Sequence, residues 1–338
     1  MSKIICIGDV HIKDHLSYSN HIEDKREGEK KEIIDFILRS SEDCDHIVFM
    51  GDFFNSKNNS SEANRFATEF IESFGDKDIY IISGNHEKKG DGSTAIDYLA
   101  EVRKPNWHIM THQTSIDLDG LKIDFLPYIL NSEIGAETTE IATQMILDNL
   151  DGGDIIFAHH CISGTTFHGV KTEDLSEVVL DQKKLAEKYK LIVAGHIHSP
   201  QQYENVLITG SLFTSEVGET EKFIWKIESD DMSIEKIKVP AREIHKITDP
   251  SNQNLSSIPD SSIVKVIVTK KTAYIEKIKE LLSRFDAYLL IEDYPSERKR
   301  AHIEEGAFDF EIESLLKLYA EAKSVDYEKL LKGLQIIK

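Results

Sequence analysis

The chain has few cysteines and no surplus of positive charge. Its 338 residues include three cysteines. They are an odd number in unpatterned positions, Cys6, Cys44 and Cys161, so no disulfide framework is implied and a reducing compartment is expected. With 40 Lys and Arg against 60 Asp and Glu, the formal net charge is −20. That charge argues against a protein that binds nucleic acid unaided, because phosphate neutralisation dominates such binding.

Long apolar runs are also missing. No apolar stretch approaches the roughly 20 residues that a transmembrane helix needs. The first run has only four apolar residues before Gly8, which is too short for the core of a signal peptide. The chain has no internal repeat and no low-complexity tract. We therefore expect a cytoplasmic protein that has no contact with a membrane.

Five polar patches each follow a short apolar run that is rich in Ile and Val. The runs cover Lys3–Ile7, 46–50, 79–82, 154–158 and 190–194, as expected for strands that are covered on both faces. Ligands of open α/β sheets bind just outside the carboxyl ends of the strands, so the patches predict one functional site. They are Asp9-Val10-His11, Gly51-Asp52, Gly84-Asn85-His86-Glu87, His159-His160 and Gly195-His196-Ile197-His198.

The residue types in these patches suit a pair of divalent metal ions. Two such ions about 3.5–4 Å apart can clamp a phosphate and supply hydroxide near neutral pH. The pair needs a shared anion, for which Asp52 is the natural candidate, and imidazole ligands favour Mn, Fe, Zn or Ni over Mg. Only two of the seven candidate ligands are anionic, so two ions leave a charge of +4 − 2 = +2 that attracts phosphodiester oxygens. The seven are Asp9, His11, Asp52, Asn85, His159, His196 and His198.

The five patches, in this order, resemble the motifs of the calcineurin-like metallophosphoesterase superfamily. Those motifs are DxH, GD, GNH followed by Glu or Asp, an isolated His, and GHxH. The resemblance covers roughly the first 240 residues. It implies an α/β fold in which two packed sheets are flanked by helices, an α/β/β/α sandwich.

The resemblance also implies a role for each patch. His86 would not bind metal but would face the scissile phosphate, where it would stabilise charge or protonate the leaving oxygen. His159 is favoured over His160 as a ligand because it continues its strand directly, which leaves His160 packed behind it. One ion would take Asp9, His11, Asp52 and His198, and the other would take Asp52, Asn85, His159 and His196.

Helical and strand patterns fill the intervals between the patches. Helices are predicted at 32–39, from a Ser60 cap to about Phe74, and at 93–102. Strands are predicted at 107–110, 121–126, 206–209 and 223–227. In the relatives, helices after the second and third motifs form a dimer interface, but the apolar stripe that includes Phe66 and Phe70 could equally face the core.

The composition changes after Pro240. Residues 1–240 contain 24 Lys and Arg against 43 Asp and Glu, a net of −19, whereas residues 241–338 contain 16 against 17, a net of −1. The Ser-, Asn- and Pro-rich stretch 249–262 predicts a linker or long loop. A strand at 263–269, a helix at 274–285 and a strand at 287–291 then predict a small α/β domain.

Two short amphipathic helices are predicted at the end of the sequence, at 310–322 and 327–337. A charged break at 295–306 separates them from the small domain. Such a pair of helices cannot bury its apolar face by itself, which favours docking on a partner.

This plan resembles the SbcD-type nuclease subunits of DNA double-strand-break repair complexes, and particularly the phage recombination-endonuclease branch. The resemblance implies a nuclease domain at 1–240, a DNA-capping domain at 241–300 and a helical tail at 301–338 that binds the coiled coil of an SMC-like ATPase. It also implies Mn²⁺-dependent endonuclease and exonuclease cleavage of double-stranded and single-stranded DNA, with Mg²⁺ as the alternative metal. A homodimer is implied as well, in the host cytoplasm if the protein is phage-encoded.

Two residues depart from the nuclease pattern. Asn55 stands where some members carry a His that handles DNA ends, and an amide cannot deliver a proton. Glu87 replaces the commoner Asp of the nuclease branch, which the wider superfamily tolerates. The amide at position 55 therefore argues against vigorous exonuclease action.

Two other classes of function stay open. A stand-alone phosphatase or cyclic-nucleotide phosphodiesterase would use the same metal site, and the acidic charge favours it slightly. Against it, protein phosphatases follow the second motif with an Arg, which is absent from Asp52-Phe53-Phe54-Asn55. A non-catalytic adaptor is disfavoured because every candidate ligand and His86 are present.

Overall fold

The computed structural model describes residues 2–19, 22, 24–90, 92–102, 104–167, 169–215, 219, 221–248, 255–268, 275–291, 317, 320 and 325–330. The chain divides into two compact units. The first is built from residues 1–16, 26–214 and 221–241, and the second from residues 17–25, 215–220 and 242–338. None of the helices in the described part of the chain has both the length and the apolar character needed to cross a bilayer.

The first unit contains sixteen strands and five α-helices among its described residues. The strands are β1 (Lys3–Ile7), β2 (His46–Phe49), β3 (Asp78–Ile82), β4 (Trp107–Met110), β5 (Thr114–Leu118), β6 (Leu121–Leu126), β7 (Gly153–Ala158), β8 (Cys161–Ile162), β9 (Thr166–Phe167), β10 (Val170–Lys171), β11 (Val179–Leu180), β12 (Tyr189–Ala194), β13 (Gln201–Tyr203), β14 (Val206–Ile208), β15 (Lys222–Glu228) and β16 (Ile234–Val239). The helices are α1 (Glu27–Ser40), α2 (Ser61–Glu72), α3 (Asp97–Glu101), α4 (Thr139–Asn149) and α5 (Gln182–Ala186).

Twelve of these strands form two six-stranded sheets. The first sheet has the order β16-β15-β1-β2-β3-β4, and the second has the order β13-β14-β12-β7-β6-β5. Strands β1 to β4 run parallel to one another, and so do β14, β12, β7 and β6. The antiparallel partners lie at the outer positions of each sheet. Each sheet therefore presents a block of parallel carboxyl ends at its centre.

Successive side chains of a strand face opposite sides of its sheet, and the apolar ones build three layers. Ile4 of β1 packs between the two sheets with residues such as Phe125 and Phe157 of the second sheet. Ile5, one residue later, faces the opposite side and joins a layer with helices α1, α2 and α3, as the two-residue period of a strand requires. The outer face of the second sheet packs on α4 and α5. The order is helix, sheet, sheet, helix, which confirms the predicted α/β sandwich.

The apolar stripe on α2 belongs to this core. Ser60 caps the helix by accepting a hydrogen bond from the Ala63 N–H at 3.0 Å. Ala67, Phe70 and Ile71 are buried in the layer between the helices and the first sheet. The stripe is thus explained by packing inside the chain, and it supplies no separate support for the predicted dimer interface.

The second unit contains a three-stranded parallel sheet. Its elements are β17 (Ile244–Thr248), β18 (Ile263–Val268), α6 (Ile275–Arg284) and β19 (Asp286–Ile291), with the sheet order β17-β18-β19. Ile278, Leu281 and Phe285 of the helix region pack with Val264 and Val266 of β18. The predicted tail helices at 310–322 and 327–337 lie outside the described residues except at positions 317, 320 and 327–330.

Candidate metal centre

The candidate site lies where the parallel carboxyl ends of both sheets meet. Asp9 follows β1 and Asp52 follows β2, and these strands are parallel neighbours in the first sheet. His159 follows β7 and His196 follows β12, which are parallel neighbours in the second sheet. Main-chain hydrogen bonds join neighbouring loops: the His11 N–H donates to the Asp52 carbonyl at 2.8 Å. Residues distant in sequence are therefore held together by the topology.

Asp52 lies at the centre of the cluster and is 1% exposed. Its Oδ2 atom lies 3.3 Å from Nε2 of His159. The same oxygen lies 3.9 Å from Nε2 of His11 and 3.9 Å from Nε2 of His86. The carboxylate thus faces imidazoles contributed by both sheets, which is the position that a shared anion between two cations requires.

A first set of donor atoms converges on Asn85. Its Oδ1 lies 3.2 Å from Nε2 of His159 and 3.0 Å from Nδ1 of His196. The other nitrogen of each ring faces an acceptor, because His159 Nδ1 donates to the Met50 carbonyl at 2.7 Å and His196 Nε2 donates to Glu177 at 2.8 Å. In the neutral form of each ring, the nitrogen that is not protonated directs its lone pair at the same point as the Asn85 oxygen. Such an arrangement fits a divalent ion.

A second set of donor atoms lies around Asp9. Nε2 of His11 and Nε2 of His198 are 2.9 Å apart, and Asp9 Oδ2 lies 3.9 Å from Nε2 of His198. Asp9 Oδ2 is buried without a hydrogen-bond partner among the described residues. A buried carboxylate oxygen in that state is costly unless a cation or proton satisfies it. The donor set around this oxygen therefore fits a second metal ion.

The charges of the protein residues also favour the binding of cations at this site. Burial acts to lower the pKa of His159, but the carboxylates of Asp52 and Asp9 raise it to about 10. Burial lowers the pKa of His11 to about 3, helped by neighbouring imidazoles. Positive charge is thus strongly favoured beside Asp52, and His11 offers a neutral lone pair. Both conditions suit cation binding.

His86 differs from the other site residues in its exposure and in its hydrogen bonds. Its side chain is 42% exposed, and Nδ1 donates to the Asn55 carbonyl at 3.0 Å. The candidate ligand atoms of His11, Asp52 and His86 lie within 4.8 Å of one another, so distance alone does not separate His86 from the ligands. Exposure does separate it, because the side chains of His11 and Asp52 are only 6% and 2% exposed.

His160 lies outside the cluster. Its Nε2 atom lies 3.2 Å from the Pro127 carbonyl oxygen and 3.3 Å from the Ile129 backbone nitrogen, and its ring stacks on Tyr128 with a centroid distance of 5.1 Å. Burial lowers the pKa of His160 to about 3, so the ring is neutral at physiological pH. The structure places His159, rather than His160, next to Asp52 and Asn85.

Glu87 connects two of the loops. Its carboxylate accepts the Phe54 N–H at 2.8 Å and the Gly84 N–H at 2.6 Å. Burial, reinforced by the nearby charge of Asp52, raises the pKa of Glu87 to about 8. Because the loop after β2 and the loop after β3 share this acceptor, Glu87 fixes Asp52 relative to Asn85 and His86.

Three candidate ligands have backbone conformations that L-residues rarely adopt. The φ angles are 51° for His11, 42° for Asp52 and 77° for His196. Each such conformation costs on the order of 1–3 kcal/mol and persists only where surrounding contacts fix it. Here the contacts include the His196 N–H donating to Asp9 at 3.1 Å. Strain concentrated on these residues indicates selection for side-chain placement rather than for stability.

Glycines before the polar residues allow the loops to approach closely. A Cβ on Gly51, which has a φ of 105°, would lie 2.0 Å from His159 Nδ1, and a Cβ on Gly195 would lie 2.4 Å from the Met50 carbonyl oxygen. A Cβ on Gly84 would lie 2.1 Å from Asp52 Oδ1 and 2.3 Å from the Asp52 backbone nitrogen. The motif glycines are thus explained by packing against candidate ligands.

We expect Gly84→Ala to disable the centre while Gly90→Ala leaves it intact. The new methyl at position 84 must displace Asp52, and a misplacement of about 1 Å can cost roughly 10²-fold in rate. At Gly90, on the same loop, a Cβ would meet nothing within 4 Å. Metal content and phosphodiesterase rate of the two purified variants provide the check, and equal behaviour would contradict the packing argument.

Sequence reasoning missed Glu177. The carboxylate contacts His196 Nε2 at 2.8 Å and accepts a hydrogen bond from Cys161 Sγ at 3.3 Å. Burial acts to raise the pKa of Glu177, but the hydrogen bond and charge of His196 hold it below its ordinary value. No motif marks this residue, and the sequence gives no reason to connect a Glu before β11 with the histidine after β12.

Comparison with known proteins agrees with this site. Residues 2–200 match the calcineurin-like phosphoesterase family, and the chain belongs to that family. Exonuclease subunit 1 of Enterobacteria phage T4 is 25% identical over 236 residues, covering 65% of this chain and 63% of that protein. The chain thus matches less than two thirds of the length of this relative.

Two solved structures are more distantly similar. An archaeal phosphodiesterase has a TM-score of 0.36 and 13% identity, covering 70% of this chain and 99% of that chain. A protein of unknown function from Aquifex aeolicus has a TM-score of 0.28 and 16% identity, covering 56% of this chain and 94% of that chain. Similarity at this level adds no argument about function.

Proposed function

We propose that this chain is a dinuclear-metal hydrolase that cleaves phosphodiester bonds in DNA. The observation that supports this most is the convergence of donor atoms from five loops on Asp52 and Asn85. One ion would be held by Asp9, His11, Asp52 and His198, and the other by Asp52, Asn85, His159 and His196. When bound, the ions would polarise the phosphate and supply hydroxide at neutral pH.

The chain's own residues would carry the remaining steps. Ligands with two negative charges leave the loaded site positive, which attracts a phosphodiester. The Asn55 carbonyl accepts the Nδ1 proton of His86, so only Nε2 can face the substrate. A protonated Nε2 would donate to the leaving oxygen.

Two observations favour DNA as the substrate. The phage relative is described as an exonuclease subunit, and the loop after Asp52 lacks the Arg of protein phosphatases. A stand-alone phosphatase or cyclic-nucleotide phosphodiesterase is the second candidate. The net charge of −19 on residues 1–240 favours it, because an acidic surface repels a polyanion.

A substrate panel separates the two candidates. Metal-free protein reloaded with Mn²⁺ or Mg²⁺ is assayed on labelled duplex and single-stranded oligonucleotides, a cyclic nucleotide and a phosphomonoester. We expect cleavage of DNA, with Mn²⁺ above Mg²⁺ because imidazole ligands suit Mn²⁺ better. Turnover of the cyclic nucleotide or monoester with no cleavage of either oligonucleotide would favour the second candidate.

The second unit is proposed to serve DNA and a partner. In this proposal, residues 241–300 cap the DNA and the tail at 301–338 docks on an SMC-like ATPase whose basic surface recruits DNA to an acidic nuclease. The word "subunit" in the name of the phage relative supports an assembly. We also propose a homodimer in the cytoplasm, as the resemblance to SbcD-type subunits implies.

Deletion of residues 307–338 tests the docking proposal. We expect a folded, metal-loaded enzyme that hydrolyses a small artificial phosphodiester but no longer copurifies with the ATPase or shows ATP-stimulated cleavage of duplex DNA. Ala320 is 7% exposed, so at least one tail position is covered by this chain itself. Aggregation of the truncated protein would assign the tail to the chain's own core and contradict docking.

A further inference from the structure

We propose that Glu177 is a positioning residue that orients His196 for one of the two metal ions. This inference rests on the proposed dinuclear function and concerns a residue outside the five motifs. Among the residues that the structure describes, its carboxylate is the hydrogen-bond partner of His196 Nε2, at 2.8 Å, while Nδ1 of the same ring faces Asn85 Oδ1 at 3.0 Å.

The contact determines the tautomer of His196. A carboxylate only accepts hydrogen bonds, so Nε2 must carry a proton and donate it to Glu177. The proton is then absent from Nδ1 in the neutral ring, and the Nδ1 lone pair points toward Asn85 Oδ1. A carboxylate behind a ligating imidazole also makes the other nitrogen a stronger donor to a metal.

Glu177 is itself held in place. The Cys161 thiol donates to Oε1 at 3.3 Å, while Oε2 receives the His196 proton. Cys161 is buried at the start of β8, which pairs in parallel with β11 just after Glu177. The β8–β11 pair therefore fixes the carboxylate on the side of His196 away from Asn85. This gives the buried thiol a role as a hydrogen-bond donor.

The alternative is that Cys161, Glu177 and His196 form a metal site of their own, since their ligand atoms lie within 4.8 Å of one another. The hydrogen bonds disfavour it. Thiol and imidazole each donate to a separate carboxylate oxygen, so all three groups are satisfied without an ion. Binding an ion there would require both protons to leave.

Calorimetric titration of Mn²⁺ into metal-free protein tests the assignment. We expect wild-type protein to bind two ions, and Glu177→Ala to weaken only one of the two binding steps, by about 10–100-fold, the usual effect of losing such a partner. Glu177→Gln should restore part of the affinity, because its amide oxygen can still accept the Nε2 proton. Melting of the metal-free proteins should be nearly unchanged.

Glu173→Ala is the matched control. Glu173 is an exposed carboxylate in the same segment and accepts the Gly164 N–H at 2.7 Å, so its loss perturbs the loop without touching His196. It should bind both ions as wild type does.

Three outcomes would overturn the inference. These are unchanged binding by Glu177→Ala, an equal loss at both steps without rescue by Gln, and an equal loss in the Glu173→Ala control. A wild-type protein that fails to bind two ions would instead overturn the proposed dinuclear function.

Discussion

Asp52→Asn is expected to abolish stable occupancy of the metal pair and, with it, nearly all hydrolysis. Asp52 faces donor atoms of both predicted ion sites, at 3.3 Å from His159 and 3.9 Å from His11. The amide keeps the oxygen that accepts the His86 N–H at 2.9 Å, so the loop should stay folded. Elemental analysis after dialysis against Mn²⁺ gives the number of bound ions.

Asn55→Ala is the control for this variant. The main-chain carbonyl of residue 55, rather than its side chain, contacts His86, so alanine preserves the contact. We expect two ions per chain in Asn55→Ala and a clear loss in Asp52→Asn. Equal losses in the two variants would show that Asp52 has no special bridging role.

His86→Ala should retain both ions and lose most of the hydrolysis rate. A positioned acid or base typically contributes about 10²–10⁴-fold, and His86 is the exposed imidazole at the edge of the cluster. The loss should be largest for substrates with poor leaving groups, because those most need a proton on the leaving oxygen. Steady-state rates on an alkyl and a nitrophenyl phosphodiester measure this difference.

His112→Ala provides the comparison for His86→Ala. His112 is another histidine in the first unit, where its ring contacts the Thr111 hydroxyl at 3.0 Å, and it should have wild-type rates and metal content. If His86→Ala loses metal in parallel with activity, His86 is a ligand and the assignment of a proton-transfer role is wrong.

The central strands could be predicted from the sequence because they are buried on both faces. Parallel strands such as β1 and β3 are continuous apolar runs ending at a polar motif, and the structure has them within one residue of the predicted bounds. Among the edge strands of the two large sheets, β4 was predicted, but β5, β13 and β16 were missed. In β5 (Thr114–Leu118) most residues are at least partly exposed. The sequence of this strand therefore contains too few apolar residues to predict a strand.

The start of α1 was also predicted wrongly. The pattern placed the helix at 32–39, but it begins at Glu27. Arg26 and Glu29 form a buried ion pair at 2.6 Å, and the Arg26 guanidinium also donates to the Thr214 carbonyl. An amphipathic pattern assigns such charged residues to solvent, so it could not detect a helical turn whose charges are paired inside the protein.

The candidate ligands could be proposed from motifs, but their supporting contacts could not. The carbonyls of Met50 and Asn55 orient His159 and His86, and a carbonyl is the same for every residue type. Glu177 is one acid among 60 acidic residues. Glu177 reaches His196 only in the folded chain, because the pairing of β8 with β11 places its carboxylate there.

Anomalous diffraction from crystals grown with Mn²⁺ tests the central claim most directly. The account predicts two anomalous peaks per chain, roughly 3.5–4 Å apart, with an Asp52 oxygen between them. Asn85, His159 and His196 should surround one peak, and Asp9, His11 and His198 the other. A single peak, or a peak between Cys161 and Glu177 in place of the second, would contradict it.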